Sequence, residues 1–266
     1  MCATCGCSGT AGAEHGAGDE HAHVAPHVHP HGHEHAPGAP WRAAASPRLL
    51  RLEQEVLGKN DRIAAENRAW LATKRVTALN LVSSPGAGKT TLLERTLRAL
   101  AGEVPISVVE GDQETPLDAE RIRATGCPVV QINTGRGCHL DAAMIADALR
   151  RLAPPAGSLL FVENVGNLVC PALFDLGERA KVVIASTPEG EEKPLKYPHM
   201  FRASALMLLN KVDLVPHVGF DVARCLANAR QVNPRLEAIP ISATRGDGLD
   251  AWLAWLRTRL GAASGR

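Results

Sequence analysis

The chain has 266 residues, with 29 Lys and Arg against 28 Asp and Glu, 11 His and seven Cys. That length leaves room for one α/β domain of about 200 residues plus an appendage. A net charge of +1 with one Tyr and four Phe excludes the basic, aromatic-lined face that nucleic acid requires, and no apolar run approaches the roughly 20 residues that span a bilayer.

Met1 to Pro40 lacks the basic start and apolar core of a signal peptide, so a cytoplasmic location is expected. In a reducing compartment, seven cysteines point to metal or redox chemistry rather than a disulfide framework. Cys2, Cys5 and Cys7 form C-x-x-C-G-C. Thiolates suit Zn²⁺, Cu(I) and, with nitrogen donors in a planar setting, Ni²⁺; removal of Met1 would add the α-amine of Cys2 as a fourth donor. Eight of the histidines follow at His15, His21, His23, His27, His29, His31, His33 and His35. Pro and Gly interrupt this tract and no apolar period runs through it, so a disordered, exchangeable store for Ni²⁺, Zn²⁺ or Cu²⁺ is expected. The expected organisation is a metal-binding tail over residues 1–40, a linker and helical segment over 41–75, and a nucleotide domain over 76–262.

Ala36 to Pro47 reads as a linker, and Ser46-Pro47 as a helix start. Leu49, Leu50, Leu52, Val56, Leu57, Ile63, Ala64, Trp70 and Leu71 recur at near-helical intervals, predicting one or two helices with an apolar face packed on the next domain. The stretch Leu79–Leu93, LNLVSSPGAGKTTLL, then reads as strand, loop and helix. It matches the P-loop pattern G-x-x-x-x-G-K-[ST] except for Ser83 at the first position, with Gly86 and Gly88 left to bring the backbone close to a phosphate. Gly86, Ala87, Gly88, Lys89, Thr90 and Thr91 are the expected phosphate cradle, with Lys89 on the β/γ-phosphates and the Thr90 hydroxyl on Mg²⁺.

Further strands are predicted at Ile106–Glu110, Val129–Ile132, Leu159–Val162, Val182–Ala185, Leu206–Leu209 and Ala238–Ile241, after a first at Ala78–Val82. Helices are predicted at Thr91–Ala101, Leu117–Thr125, Leu140–Leu152, Val222–Val232 and Leu249–Leu260. This alternation predicts an α/β P-loop fold, a mostly parallel sheet with helices on both faces and ligands at the strands' carboxyl ends.

Asn210-Lys211-Val212-Asp213 follows one strand and Ser242-Ala243 another. The Asp213 carboxylate can accept two hydrogens from guanine N1 and its exocyclic amine, a pair adenine lacks. Asn210 is expected to tie neighbouring loops, Lys211 to cover the base, and the Ala243 N–H to meet guanine O6. GTP is therefore the expected nucleotide. Asp112, in EGDQET, is placed to meet Mg²⁺ or orient the attacking water. Glu163, in ENVGN, is expected to reach Mg²⁺ through water, and Gly166 to sense the γ-phosphate. With Lys89 and Mg²⁺ supplying charge and no evident arginine finger, slow hydrolysis is expected. Helix capping is the alternative use of the two carboxylates.

Cys138-His139 and Cys170 also lie just beyond strands and offer two thiolates and an imidazole to Zn²⁺ or Ni²⁺. Adjacent side chains point apart, so a site shared between two subunits is expected, with buried cysteines and a capping His as the alternative. Cys127 and Cys225, in apolar surroundings, read as structural.

Together CATCGC, the His-rich tract, SSPGAGKTT, EGDQET, GRGCHLDA, ENVGNLVCPALFDLGE and NKVDL resemble the HypB family, the GTPases used in nickel incorporation into nickel–iron hydrogenase. The resemblance spans essentially the whole chain, and Ser83 does not weaken it, since that family often lacks the first glycine. It implies a SIMIBI-class G domain that forms a homodimer with GTP, high-affinity nickel on Cys2, Cys5 and Cys7, and a weaker nickel/zinc site at the dimer interface on Cys138, His139 and Cys170. It also implies a HypA-type metallochaperone as partner and delivery to the hydrogenase large subunit precursor. Two other functions compete. A urease-type nickel GTPase is disfavoured by the N-terminal Cys motif and by Cys138-His139 in place of Cys-Pro-His. A metal store with a vestigial GTPase would keep its function in Lys89→Ala, whereas nickel delivery would not.

Overall fold

The computed structural model describes residues 46–264. Cys2, Cys5, Cys7 and the histidines from His15 to His35 lie outside the described residues. The described residues from Gln54 onward form one compact unit; before them only the opening of a helix is described.

The elements in chain order are α1 (Pro47–Thr73), β1 (Thr77–Ser83), α2 (Lys89–Ala99), β2 (Ile106–Asp112), α3 (Leu117–Arg123), β3 (Val129–Asn133), α4 (Ala142–Leu152), β4 (Leu159–Glu163), α5 (Cys170–Leu173), β5 (Ala180–Ser186), α6 (Lys193–Lys196), α7 (Pro198–Ala203), β6 (Ser204–Asn210), α8 (Val222–Val232), β7 (Glu237–Pro240) and α9 (Leu249–Ser264). The strands form one sheet in the order β3-β2-β4-β1-β5-β6-β7, and each pairing is parallel. All predicted strands are present. Helices α5, α6 and α7 were not predicted, because four to six residues are too few to show a 3.6-residue period.

Parallel strands buried on both faces need apolar residues at odd and even positions alike, and β1, β4 and β5 supply them. On one face Leu79, Leu81, Val108, Phe161, Val182 and Ile184 pack with Leu92 and Leu97 of α2, Ile122 of α3 and Trp252 and Leu256 of α9. On the other, Ala78, Val109, Leu160 and Val162 pack with Leu71 of α1 and Ile145 and Leu149 of α4. Farther along that face, Val183, Met207 and Leu209 pack with Phe201 of α7 and Cys225 of α8. Trp252 Nε1 also donates to Thr96 Oγ1 of α2 at 2.9 Å.

Helix α1 is a single helix, and its buried stripe in the second unit is Asn60, Ala64, Asn67 and Leu71. Leu50, Leu52 and Val56, expected on a core face, are exposed. Helical spacing tells which residues share a face, not whether anything covers it. Among the described residues no helix is long and apolar enough to cross a membrane.

The register brings the chemistry to one edge. Leu81 of β1 pairs with Glu163 of β4, and Glu163 pairs on its other side with Glu110 of β2. Beyond these carboxyl ends lie the loop into α2, the turn after Asp112 and the turn after Glu163.

Candidate functional site

The loop between β1 and α2 has the backbone a phosphate cradle requires. Gly86 and Gly88 have φ of 73° and 91°, and Gly88 caps α2, so the helix begins at Lys89 rather than at the predicted Thr91. A Cβ at Gly88 would lie 2.5 Å from Asn210 Nδ2. Lys89 Nζ donates to Glu163 Oε1 at 3.0 Å and Thr90 Oγ1 donates to the same oxygen at 2.6 Å. Thr91 Oγ1 accepts from Arg121 of α3 at 3.1 Å.

Glu163 is buried, and its Oε2 has no hydrogen-bond partner. An orphaned carboxylate oxygen beside a threonine hydroxyl is a hard-oxygen set that fits Mg²⁺. Asp112 is steadied within its own turn, accepting from Gln113 N at 2.6 Å and from Thr115 N and Oγ1 at 3.1 and 2.7 Å. Burial opposes its charge, but these bonds and Lys89 hold the carboxyl below its ordinary range. Glu110 was not singled out from the sequence. Burial first, then the carboxylates of Glu163, Asp112 and Asp118, push it up to about 8, with Lys89 pulling the other way. A single glutamate near the end of an apolar strand gives no pattern; only the register beside Glu163 exposes it.

At the base end, Asn210 Nδ2 donates to Ala87 O at 2.8 Å while its Oδ1 accepts from Ala243 N at 2.9 Å. The tie between neighbouring loops is thus formed by the side chain predicted for it, and the Ala243 N–H expected at guanine O6 points to Asn210. Lys211 Nζ donates to Gly86 O at 2.7 Å. Asp213 Oδ1 is buried without a partner, an acceptor available to a base. Ser242 Oγ accepts from Arg245 N at 3.0 Å, closing the loop. Gly166 packs on the cradle: a Cβ there would lie 3.0 Å from Pro85.

The donor atoms of Cys138, His139 and Cys170 all lie within 4.8 Å of one another in one chain. The two sulfurs are 3.1 Å apart, and Cys138 Sγ is 3.7 Å from His139 Nδ1. Cys138 and His139, expected to point apart, instead turn the same way in the bend before α4, and with Cys170 they gather three donors within one chain. The His139 ring lies 4.0 Å from that of Phe174. Burial lowers its pKa, with Asp141 acting the other way, which favours the neutral ring that ligates metal. Burial pushes the Cys127 and Cys225 thiols up to about 11, in keeping with structural roles.

Two buried asparagines of α1 brace this cluster. Asn60 accepts from Ala142 N at 2.9 Å and donates to Asp175 O at 2.8 Å. Asn67 donates to Ala142 O at 2.8 Å and Leu176 O at 3.1 Å.

A family model described as the CobW/HypB/UreG nucleotide-binding domain matches residues 77–240. The chain is 62% identical over 212 residues to hydrogenase maturation factor HypB of Escherichia coli K12, covering 80% of this chain and 73% of that protein. It is also 62% identical over 214 residues to HypB of Azotobacter vinelandii, covering 80% and 71%. Among solved structures, Archaeoglobus fulgidus HypB is 40% identical with a TM-score of 0.72, covering 76% of this chain and 99% of that one. Helicobacter pylori HypB in complex with nickel is 36% identical with a TM-score of 0.71, covering 77% and 96%.

Proposed function

The chain belongs to the CobW/HypB/UreG nucleotide-binding family, and from that premise we propose that it is a GTPase whose cycle gates nickel delivery during nickel–iron hydrogenase maturation. Its proposed organisation is a metal-binding tail over residues 1–40, a linker and helix over 41–75 and a GTPase domain over 76–262. Cys2, Cys5 and Cys7 are the proposed tight nickel ligands, and the histidines from His21 to His35 a weaker reservoir. The protein is proposed to work in the cytoplasm as a GTP-dependent homodimer, receiving metal with a HypA-type metallochaperone and passing it to the hydrogenase large subunit precursor.

The observation that carries this reading is the Cys138, His139 and Cys170 cluster on loops adjoining the turn that follows Glu163. Two thiolates and an imidazole suit nickel or zinc and leave coordination open for transfer. A relative solved in complex with nickel adds support. At the nucleotide, Lys89 and the N-terminus of α2 hold the β/γ-phosphates, Asp213 reads guanine and the Gly166 N–H meets the γ-phosphate. Thr90, Glu163 and Asp112 are the groups to hold Mg²⁺, which when bound neutralises phosphate charge.

Equilibrium Ni²⁺ and Zn²⁺ titrations, with GDP and with non-hydrolysable GTP, test this on wild type and Cys138→Ala. Cys138→Ala is expected to lose the nucleotide-sensitive site; an unchanged site overturns the assignment.

A further inference from the structure

The turn between Glu163 and Cys170 touches both halves of the site. On the nucleotide side, Glu163 bonds Lys89 and Thr90, and Gly166 lies so close to Pro85 that a methyl group there would sit 3.0 Å away. On the metal side, two asparagines reach the backbone flanking His139. Buried Asn164 accepts from Leu140 N at 3.2 Å through Oδ1 and donates to Asn80 Oδ1 at 3.2 Å. Asn167 donates from Nδ2 to Cys138 O at 3.2 Å, while its Oδ1 accepts from Val169 N at 2.8 Å and shapes the approach to Cys170.

We infer that Asn164 and Asn167 are positioning residues that carry the nucleotide state to the metal cluster, by fastening the turn that contacts the phosphate cradle to the backbone on either side of His139. The inference rests on the proposed nucleotide-gated metal reading and names its transmission. A γ-phosphate arriving near Gly166 displaces a turn already packed on Pro85. The two asparagine bonds pass that displacement to Cys138 and Leu140, and the chain itself passes it to Cys170. All three metal donors are thus moved by one segment. The polar chain behind Asn164 resists rotation of its amide. Asn80 donates to Glu178 at 3.2 Å, Glu178 pairs with Lys181 at 2.9 Å, and Lys181 donates to Phe174 O at 3.0 Å, next to the ring that lies against His139.

The test is the ratio of Ni²⁺ affinities in the non-hydrolysable-GTP and GDP forms of the full chain at the site that Cys138→Ala removes, followed by the thiolate-to-nickel charge-transfer band that this substitution abolishes. Coupled sites typically show a ratio of about 5- to 150-fold. In Asn167→Ala, and in Asn167→Ser, whose hydroxyl can keep the local bond to Val169 N but is too short to reach Cys138, the ratio is expected to fall to within about twofold of one. Melting temperature, GDP affinity and the band in at least one nucleotide state should persist, which a general structural defect does not allow. Asn164→Ala should behave alike; if it fails to fold, the Asn167 variants decide. A wild-type ratio retained in both Asn167 variants, or restored by Ser, overturns the inference while leaving nucleotide gating intact. A ratio of one in wild type itself refutes the gating reading and the inference with it.

Discussion

Replacing Asn210 with Ala tests whether one side chain holds the two ends of the nucleotide site together. Asn210 is 1% exposed and bridges Ala87 O to Ala243 N, so Asn210→Ala leaves a carbonyl and an N–H without partners in a dry region. Each orphaned group costs about 1–3 kcal/mol. The lower end for the pair, about 2 kcal/mol, corresponds to roughly a 30-fold loss of affinity if binding bears all of it. The loss divides between binding and folding, so both are measured: a fluorescent GDP titration gives the first and urea unfolding the second. Summed losses of about 2 kcal/mol or more are expected. A sum under about 1 kcal/mol, less than one ordinary net hydrogen bond, refutes the bridge.

Asp213→Asn should turn the base acceptor into a donor, weakening GTP binding while improving that of xanthosine triphosphate, whose C2 oxygen accepts; competition between the two nucleotides measures it, and an unchanged preference removes Asp213 from base recognition. Glu110, pushed up to about 8 by burial and neighbouring carboxylates, should make stability pH-dependent in nucleotide-free, Mg²⁺-free protein. Its folded pKa is raised, so its contribution is full below the ordinary value of 4.5 and is lost as pH rises through 8. Wild type should lose urea resistance between those values relative to Glu110→Gln, and parallel curves would show that Glu110 is not held protonated. Asn67→Ala removes bonds to Ala142 O and Leu176 O and should cost about 2–3 kcal/mol, lowering Tm by about 4–12 °C. A shift below about 2 °C at the same scaling means that solvent replaces the asparagine.

The sheet was legible because strands buried on both faces read as apolar runs, as in Leu206–Leu209, and because Gly86, Gly88 and Lys89 carry their geometry in their residue types. The cap at Gly88 shifted the start of α2, and the Asp141 side chain, accepting from Met144 N at 2.8 Å, moved that of α4 to Ala142. Cys138, His139 and Cys170 were legible as candidate ligands, but not their closeness, since sequence order says nothing about the bend that turns Cys138 and His139 the same way. Glu110 and the α1 asparagines were missed for a related reason. Asn60 and Asn67 share the buried stripe with Ala64 and Leu71, yet a pattern scored on apolar residues skips polar groups whose partners lie 75 or more positions away.

The span that the family model matches, residues 77–240, is shorter than the span the architecture draws on. It omits Asn60 and Asn67, which pin the segments next to Cys138, His139 and Cys170, and Ser242 and Ala243, which close the loop beside Asn210. It also omits α9, whose Trp252 reaches back to Thr96 and whose apolar side covers the helix that begins at the phosphate cradle. A fragment trimmed to the shared span would keep the strands that make the family recognisable and lose the outer braces that make the sites work. The family's shared core and a self-sufficient domain end at different residues here.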